Sequence, residues 1–117
     1  MKQVERISIE GASNELQSMS TRMFDALVKA VVDIDKRLVV VDAGLHSDQE
    51  LYLMEHGSAQ NDLWGINLWP ENYGNEDFIE FDSLISLRPQ QGNRSRGVDD
   101  PNIQKRIRAL IDEVVYE

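Results

Sequence analysis

The sequence contains no cysteine, which excludes disulfide bonds, thiolate metal sites and cysteine nucleophiles. It also lacks an apolar run long enough to cross a bilayer. The first seven residues, MKQVERI, carry a charge every few positions, unlike the apolar stretch of a signal peptide. These absences lead us to expect a cytoplasmic protein with no membrane association.

Positive charge is missing from the middle of the chain. Lys and Arg are absent from Leu38 to Leu87, where ten carboxylates lie, whereas Arg88–Arg108 holds six of the twelve cations and only two carboxylates. The formal net charge of −9 argues against a general attraction to nucleic acid. The uneven distribution is explained most simply by ion pairs between the two regions.

The 117 residues fit one globular domain that spans residues 1–117. Hydrophobic periodicity, turn residues and helix caps predict alternating elements. In chain order these are a short strand within Val4–Ile9, a helix from Ser13 or Asn14 to near Asp25, a hairpin over Val28–Asp42, a short helix from Ser47, a hairpin of strands Leu63–Leu68 and Phe78–Arg88, and a helix from Pro101. This order predicts an α+β fold, with a mixed or antiparallel sheet of four to five strands and about three helices, mainly on one face of the sheet.

The short helix that follows the first hairpin has a recognisable start signal. Ser47 and Glu50 match a capping box, in which the hydroxyl and the carboxylate each accept a hydrogen bond from a free amide. Gly57 is expected to end this helix. Its buried side is expected to consist of Leu45, Leu51 and Met54.

Alternation in the second hairpin predicts one apolar face and one polar face. The polar side, with Asn67, Glu80 and Asp82, is expected to be open to solvent or thinly covered. The apolar side carries Trp64, Ile66 and Leu68.

The last helix begins with Asp100 as its cap and Pro101 at its first position, where the missing amide hydrogen costs nothing. An apolar stripe from Ile103 to Val114 predicts that it packs on the core. Three cations lie off this stripe, Lys105, Arg106 and Arg108.

Several motifs make the chain similar to a known family. They are Val28–Ile34, Leu45-His46, Gly57-Ser58, Asp62–Leu68 (DLWGINL), Ile79–Ser83 (IEFDS) and Arg88–Arg96 (RPQQGNRSR). With these motifs the chain, from about Val28 onward, resembles a family of short bacterial proteins of uncharacterised function, a domain of unknown function. The resemblance implies a small α+β domain and no particular activity.

The segment Arg88–Arg96 is the first candidate site. Guanidinium groups grip phosphate or carboxylate through paired hydrogen bonds, and the helix that starts a few residues later adds oriented amides. The predicted anion site consists of Arg88, Asn93, Arg94, Ser95 and Arg96. The alternative is that these arginines attach the loop to Glu80, Asp82 or carboxylates near the second helix. The segment does not match a P-loop.

Glu80 and Asp82 form a second candidate site, because residues two apart on a strand share a face, and Asn67 is expected to face them across the hairpin. Such carboxylates can hold Mg²⁺ through water or transfer protons. A metal site needs more converging ligands, so we predict no metal and no cofactor. His46 is a candidate general base near Asp82 or Ser95, although a hydrogen bond to the backbone is the simpler expectation for it.

These features favour a small binding or regulatory module that recognises an anionic ligand or a protein partner through the Arg88–Arg96 loop and the adjacent polar strand face. An alternative is a small enzyme that acts on a phosphorylated or carboxylated metabolite, with Glu80, Asp82 and His46 as acid–base groups, so the question of enzyme activity stays open. A second alternative is an RNA-associated protein that uses the basic C-terminal third, although the net charge opposes nucleic-acid binding. A homodimer formed through a strand edge is compatible with the sequence.

Overall fold

A computed structural model describes residues 1–8 and 27–116, so the predicted helix from Ser13 or Asn14 to near Asp25 lies outside the described residues. The described part of the chain contains two α-helices rather than about three, α1 (His46–Glu55) and α2 (Pro101–Val114). Its strands are β1 (Lys2–Val4), β2 (Ile7–Ser8), β3 (Val28–Asp33), β4 (Leu38–Val41), β5 (Leu63–Leu68), β6 (Ile79–Glu80) and β7 (Val115–Tyr116).

Five strands form one antiparallel sheet in the order β1-β4-β3-β5-β6, and β2 pairs in parallel with β7. The α+β class and the first hairpin, made of β3 and β4, are therefore confirmed. The Asp33 carboxylate holds the turn of this hairpin, because its Oδ1 accepts hydrogen bonds of 2.9 Å from the amides of Asp35 and Lys36. The other oxygen of Asp33 accepts a hydrogen bond of 2.6 Å from Ser58. These bonds to a buried carboxylate close the turn without a glycine.

The two described helices lie on opposite faces of the sheet, so for this pair the prediction that the helices lie mainly on one face does not hold. α2 packs on the main core, which contains Trp64 and Ile66, whereas α1 places Leu53 against Leu63 on the opposite face. The apolar side predicted for β5 is confirmed. The opposite side is not open to solvent at β5, because Asn67 is only 6% exposed there.

α2 has the start that the sequence predicts. The Asp100 side chain accepts a hydrogen bond of 2.8 Å from the amide of Asn102, and Pro101 occupies the first turn. The apolar stripe of the helix lies in the main core, with Ile103 partly buried at its edge. The fully or nearly fully buried members are Ile107, Leu110, Ile111 and Val114.

The predicted capping box of α1 is wrong. The helix begins at His46, with Leu45 in the N-cap position, and no side chain caps it. Ser47 therefore lies inside the first turn, where its hydroxyl is past the N-cap position. The predicted end is confirmed, because Gly57 follows the helix with a φ of 101°, a conformation that glycine adopts without strain.

The predicted buried side of α1 is also wrong, since Leu45, Leu51 and Met54 are all exposed. Two polar side chains on another side of the helix hold it to the sheet instead. Nε2 of His46 lies 2.7 Å from the carbonyl oxygen of Ile66, and the Gln49 amide donates to the carbonyl oxygen of Lys29 at 2.8 Å. These two hydrogen bonds orient the helix, and hydrophobic spacing does not report them.

The second hairpin has a shorter return strand than predicted, because β6 ends at Glu80 rather than at Arg88. A short 3₁₀ turn, Leu84–Ser86, follows instead. Ser83 starts this turn by accepting a hydrogen bond of 3.3 Å from the amide of Ile85 with its hydroxyl oxygen. The return segment therefore leaves the sheet within a few residues.

Side chains from this departing segment complete the edge of β5. The Ser86 hydroxyl oxygen accepts a hydrogen bond of 3.2 Å from the amide of Gly65. The Arg88 guanidinium donates one of 2.7 Å to the carbonyl oxygen of Leu63. Backbone groups that a strand would have paired are thus satisfied by side chains.

Candidate functional site

A cavity of about 250 Å³ lies where the start of α1 meets β5 and the Asp82–Ile85 segment. Its wall combines polar and charged groups with three apolar side chains. The lining residues are Lys29, Leu45, His46, Ser47, Asn67, Asp82, Ser83, Leu84, Ile85 and Arg96. The cavity therefore joins groups from five separate stretches of sequence.

Two larger grooves, of about 470 and 410 Å³, lie between the Trp69–Glu80 segment and α2. Their charged lining residues are four carboxylates and Arg108. The smaller cavity is the better candidate despite its size, because its wall contains a buried histidine and an uncapped helix start.

His46 is held in one tautomer by the sheet. A carbonyl oxygen only accepts hydrogen bonds, so Nε2 must carry the hydrogen that it donates to Ile66. Burial lowers the pKa of His46 below 6.5, and the charges of Lys29 and Arg96 act in the same direction, against the Ile66 hydrogen bond and the charge of Asp82. The imidazole is therefore neutral near pH 7, and Nδ1 is a lone-pair acceptor. The simpler expectation for His46, a hydrogen bond to the backbone, is confirmed.

The first turn of α1 opens on the same cavity. The first amides of any helix lack intrahelical partners, and in α1 no side chain caps them. Leu45, His46 and Ser47 of this turn all line the cavity. The partial positive charge of a helix start favours an anion at this position.

Asn67 connects the cavity to β6. Its Nδ2 donates to Oε1 of Glu80 at 2.8 Å and to the carbonyl oxygen of Asp82 at 3.4 Å, so Asn67 faces both residues as expected. Its Oδ1 is buried and has no hydrogen-bond partner among the described residues. Lys29 lies directly opposite Asn67 in the β3–β5 register, so the two side chains leave the same face of the sheet.

Asp82 and Arg96 form an ion pair at the rim. Nε of Arg96 lies 2.8 Å from Oδ1 of Asp82, and both side chains are about half exposed, at 55% and 47%. The backbone holds the two segments together, because the amide of Ser83 donates to the carbonyl oxygen of Arg96 at 2.8 Å. A half-exposed pair of this kind contributes about 0–1 kcal/mol, so Arg96 can exchange Asp82 for another anion at little cost.

Gly65 allows two parts of the cavity wall, Ser83 and His46, to pack closely against β5. A Cβ at this position would collide with the Ser83 side chain and come within 3.2 Å of the His46 ring. The absence of a side chain therefore lets the Ser83 segment and α1 meet over β5.

Arg88 points away from the cavity. Its guanidinium donates to the carbonyl oxygens of Gln60 and Leu63 and lies 4.4 Å from the centre of the Trp64 ring. Burial lowers its pKa, although an arginine still stays charged at every physiological pH. Arg88 thus attaches the loop to the end of β5.

Asn93 is buried at the centre of the Arg88–Arg96 loop. Its Nδ2 reaches three carbonyl oxygens, those of Ser86, Ser95 and Gly97, at 2.7 to 3.1 Å. Its Oδ1 accepts a hydrogen bond of 2.8 Å from the amide of Asp99. The side chain is therefore occupied in shaping the loop.

Arg94 and Ser95 gather around Asp99 rather than at the cavity. The Ser95 hydroxyl donates to Oδ1 of Asp99 at 2.6 Å, and the backbone amide of Arg94 donates to Oδ2 at 2.7 Å. These two hydrogen bonds, the Ser95 bond foremost, lower the pKa of Asp99. The Arg94 guanidinium is exposed and makes no hydrogen bond or ion pair with the described residues.

The structure thus brings together four of the predicted site residues, His46, Asn67, Asp82 and Arg96. Glu80 is hydrogen-bonded to Asn67 but does not line this cavity. The other four predicted site residues lie elsewhere in the Arg88–Arg96 loop, namely Arg88, Asn93, Arg94 and Ser95. The sequence did not identify Lys29 or Ser83 as site residues, and it predicted that Ser47 caps the short helix instead of lining a site. No local signal marks Lys29, because only the pairing of β3 with β5 places it beside Asn67.

Two cations of the basic C-terminal third contact the chain itself. Arg106 donates to the carbonyl oxygen of Ile34 at 3.0 Å, and Arg108 lies 5.1 Å from the centre of the Phe81 ring. Within residues 1–8 and 27–116, no three His, Asp or Glu side chains gather closely enough to hold a metal ion. No helix of the same ranges has the length and apolar character needed to cross a membrane.

Comparison with known proteins identifies a family. A family model described as a protein of unknown function (DUF5674) matches residues 5–114, which is nearly the whole chain. No curated protein and no solved structure gives a significant match. The resemblance to a domain of unknown function is therefore confirmed.

Proposed function

Because the chain belongs to the DUF5674 family, whose function is unknown, we propose its function from the cavity: it is a binding module for a small anionic ligand that carries a carboxylate or phosphate group. The observation that supports this proposal is the uncapped first turn of α1, which opens on a cavity that also contains Lys29 and Arg96.

The charges at the cavity favour an anion over a cation. Lys29 and Arg96 contribute positive charge, and the free amides of the α1 start add oriented donors. Asp82 is the carboxylate in the wall, and it already bonds to Arg96. An incoming anion would take the place of Asp82 on a guanidinium that is half exposed and easily released.

The volume restricts the size of the ligand. Sites for drug-sized molecules measure about 300–1,000 Å³, and this cavity is smaller, at about 250 Å³. Leu45, Leu84 and Ile85 give part of the wall an apolar character. A metabolite-sized acid with a short aliphatic part fits these conditions better than a protein segment does.

A matched pair of arginines tests the proposal. Wild-type protein, Arg96→Ala and Arg94→Ala would each be titrated with acetate and with inorganic phosphate at constant ionic strength, and backbone amide shifts followed by NMR. We expect saturable shifts at Ser47 and Asp48 in the wild type and in Arg94→Ala, and at least tenfold weaker binding in Arg96→Ala. Arg94 is the control because it lies two residues away and its guanidinium is exposed. If no amide in the first turn of α1 moves with either anion, or if both variants bind alike, the proposal is overturned.

A further inference from the structure

Besides the groups that attract an anion, the cavity wall carries a hydrogen-bond acceptor with no partner among the described residues. This acceptor is Nδ1 of His46, a residue that lines the cavity. A bare carboxylate or phosphate satisfies the cationic groups but leaves Nδ1 without a donor.

The acceptor role of His46 follows from its hydrogen bond. Nε2 is used by the carbonyl oxygen of Ile66 at 2.7 Å, which fixes the hydrogen there and leaves the lone pair on Nδ1. Conversion of Nδ1 into a donor would require a charged imidazolium in a buried position, and burial lowers the pKa of His46. Nδ1 therefore offers a lone pair near neutral pH.

Asn67 does not supply the acceptor that a ligand would use. Its Nδ2 has two oxygen partners, Oε1 of Glu80 and the carbonyl oxygen of Asp82. Its Oδ1 has no partner among the described residues but is closed off from solvent, so a ligand in the cavity cannot reach it. Nδ1 of His46 is therefore the acceptor that a ligand would meet.

These groups define a ligand with an anionic end, a neutral hydrogen-bond donor and a short apolar part. A 2-hydroxy carboxylate is the simplest small molecule with all three. A 2-amino acid is less suitable, because its ammonium group would add a positive charge to those of Lys29 and Arg96, and the Asp82 carboxylate in the wall is already paired with Arg96. The apolar wall formed by Leu45, Leu84 and Ile85 accommodates an aliphatic chain.

We infer that the cavity recognises a short-chain 2-hydroxy carboxylate, with the carboxylate at the α1 start and Arg96 and the hydroxyl donating to His46 Nδ1. This inference rests on the proposed anion site and specifies its ligand class. A site built to accept a hydrogen bond discriminates against an analogue that lacks the donor, because the buried acceptor then stays unpaired.

Three probes of one carbon skeleton test the inference on wild-type protein, namely 2-hydroxy-4-methylpentanoate, 4-methylpentanoate and leucine. We expect the hydroxy acid to bind about tenfold more tightly than the other two in NMR titrations. The Nδ1 resonance of His46, recorded by long-range ¹H–¹⁵N correlation, should move on addition of the hydroxy acid alone, while that of the exposed His56 stays constant.

A matched variant pair adds a second measurement. In His46→Phe the preference for the hydroxy acid should fall at least threefold, whereas His56→Phe, at an exposed position outside this cavity, should keep it. If His46→Phe fails to fold, the response of the Nδ1 resonance of His46 in the wild-type protein still decides the question. Equal binding of the hydroxy and deoxy acids, or tighter binding of leucine, overturns this inference and leaves the anion site standing. Absence of binding by every carboxylate overturns the anion site as well.

Discussion

Nε2 of His46 donates a hydrogen bond to the carbonyl oxygen of Ile66, and the two atoms lie 2.7 Å apart. This bond joins the first residue of α1 to the middle of β5 and sets the direction in which the helix crosses the sheet. It also assigns the hydrogen of the neutral imidazole to Nε2. One contact therefore contributes both to the packing of α1 and to the chemistry of the cavity.

The first prediction concerns pH. Burial lowers the pKa of His46 in the folded state, so the unfolded chain takes up a proton first as the pH falls. The stability that depends on the neutral imidazole is thus fully present above the unfolded value of 6.5 and is lost as the pH falls towards the lowered folded value. We expect urea midpoints to decrease from pH 7 to pH 5, and to decrease less in His46→Gln, which retains an N–H for Ile66.

The control for this prediction is His56→Gln. His56 is exposed at the other end of α1, so this variant should retain the full decrease of the wild type. Identical pH dependence in wild type and His46→Gln would show that the buried imidazole is not the group responsible.

The second prediction concerns the close approach at β5. Gly65→Ala places a methyl group against the Ser83 side chain, and such overpacking costs about 1–3 kcal/mol of unfolding free energy. Gly44→Ala is the control, because a Cβ there meets no atom within 4 Å and should change stability by less than about 1 kcal/mol. Urea unfolding of both variants measures the difference. Equal stability of the two would contradict the tight packing between β5 and Ser83.

The third prediction separates two arginines of the same loop. Arg88→Met removes the hydrogen bonds to Gln60 and Leu63 and the contact with Trp64, so we expect a loss of about 1–3 kcal/mol. Arg94→Met should stay within about 0.5 kcal/mol of the wild type, because its guanidinium is exposed. Tryptophan fluorescence during unfolding reports both values. A larger effect at Arg94 than at Arg88 would contradict the structural role given to Arg88.

The fourth prediction concerns the loop centre. Asn93→Ala removes hydrogen bonds to three carbonyl oxygens and leaves the amide of Asp99 without its acceptor, so we expect a loss of about 2–4 kcal/mol. Asn75→Ala, at an exposed position with no side-chain cap bond, should change stability by less than about 0.5 kcal/mol. Amide hydrogen exchange of Ser95–Asp99 provides a local measurement, and unchanged protection there in Asn93→Ala would refute the assignment.

Elements with a strong local signal could be predicted from the sequence. The β-branched run of Val28–Val41 has an intrinsic preference for a hairpin, and Asp100-Pro101 has the chemistry of a helix start. Gly57 stops α1 for an equally local reason, because its backbone adopts a positive φ. In each case the residues that determine the structure are neighbours in the chain.

The second hairpin and α1 show where local patterns fail. Alternation continues past Glu80, yet the segment leaves the sheet because Ser86 and Arg88 satisfy the β5 edge through their side chains. Leu45, Leu51 and Met54 have the composition of a buried stripe, yet polar bonds from the other side of the helix orient it. Hydrophobic spacing contains no information about such long-range hydrogen bonds.

The sequence by itself determined the α+β class, the start of the last helix and the grouping of cations after Leu87, because these depend on short-range preferences and composition. Only the tertiary structure decided that Arg96 lines the cavity and that Arg88 attaches the loop to the end of β5. It alone placed Lys29 beside Asn67 and His46. The physical reason is that a site is made of distances between residues far apart in the chain, and strand register and helix docking set those distances.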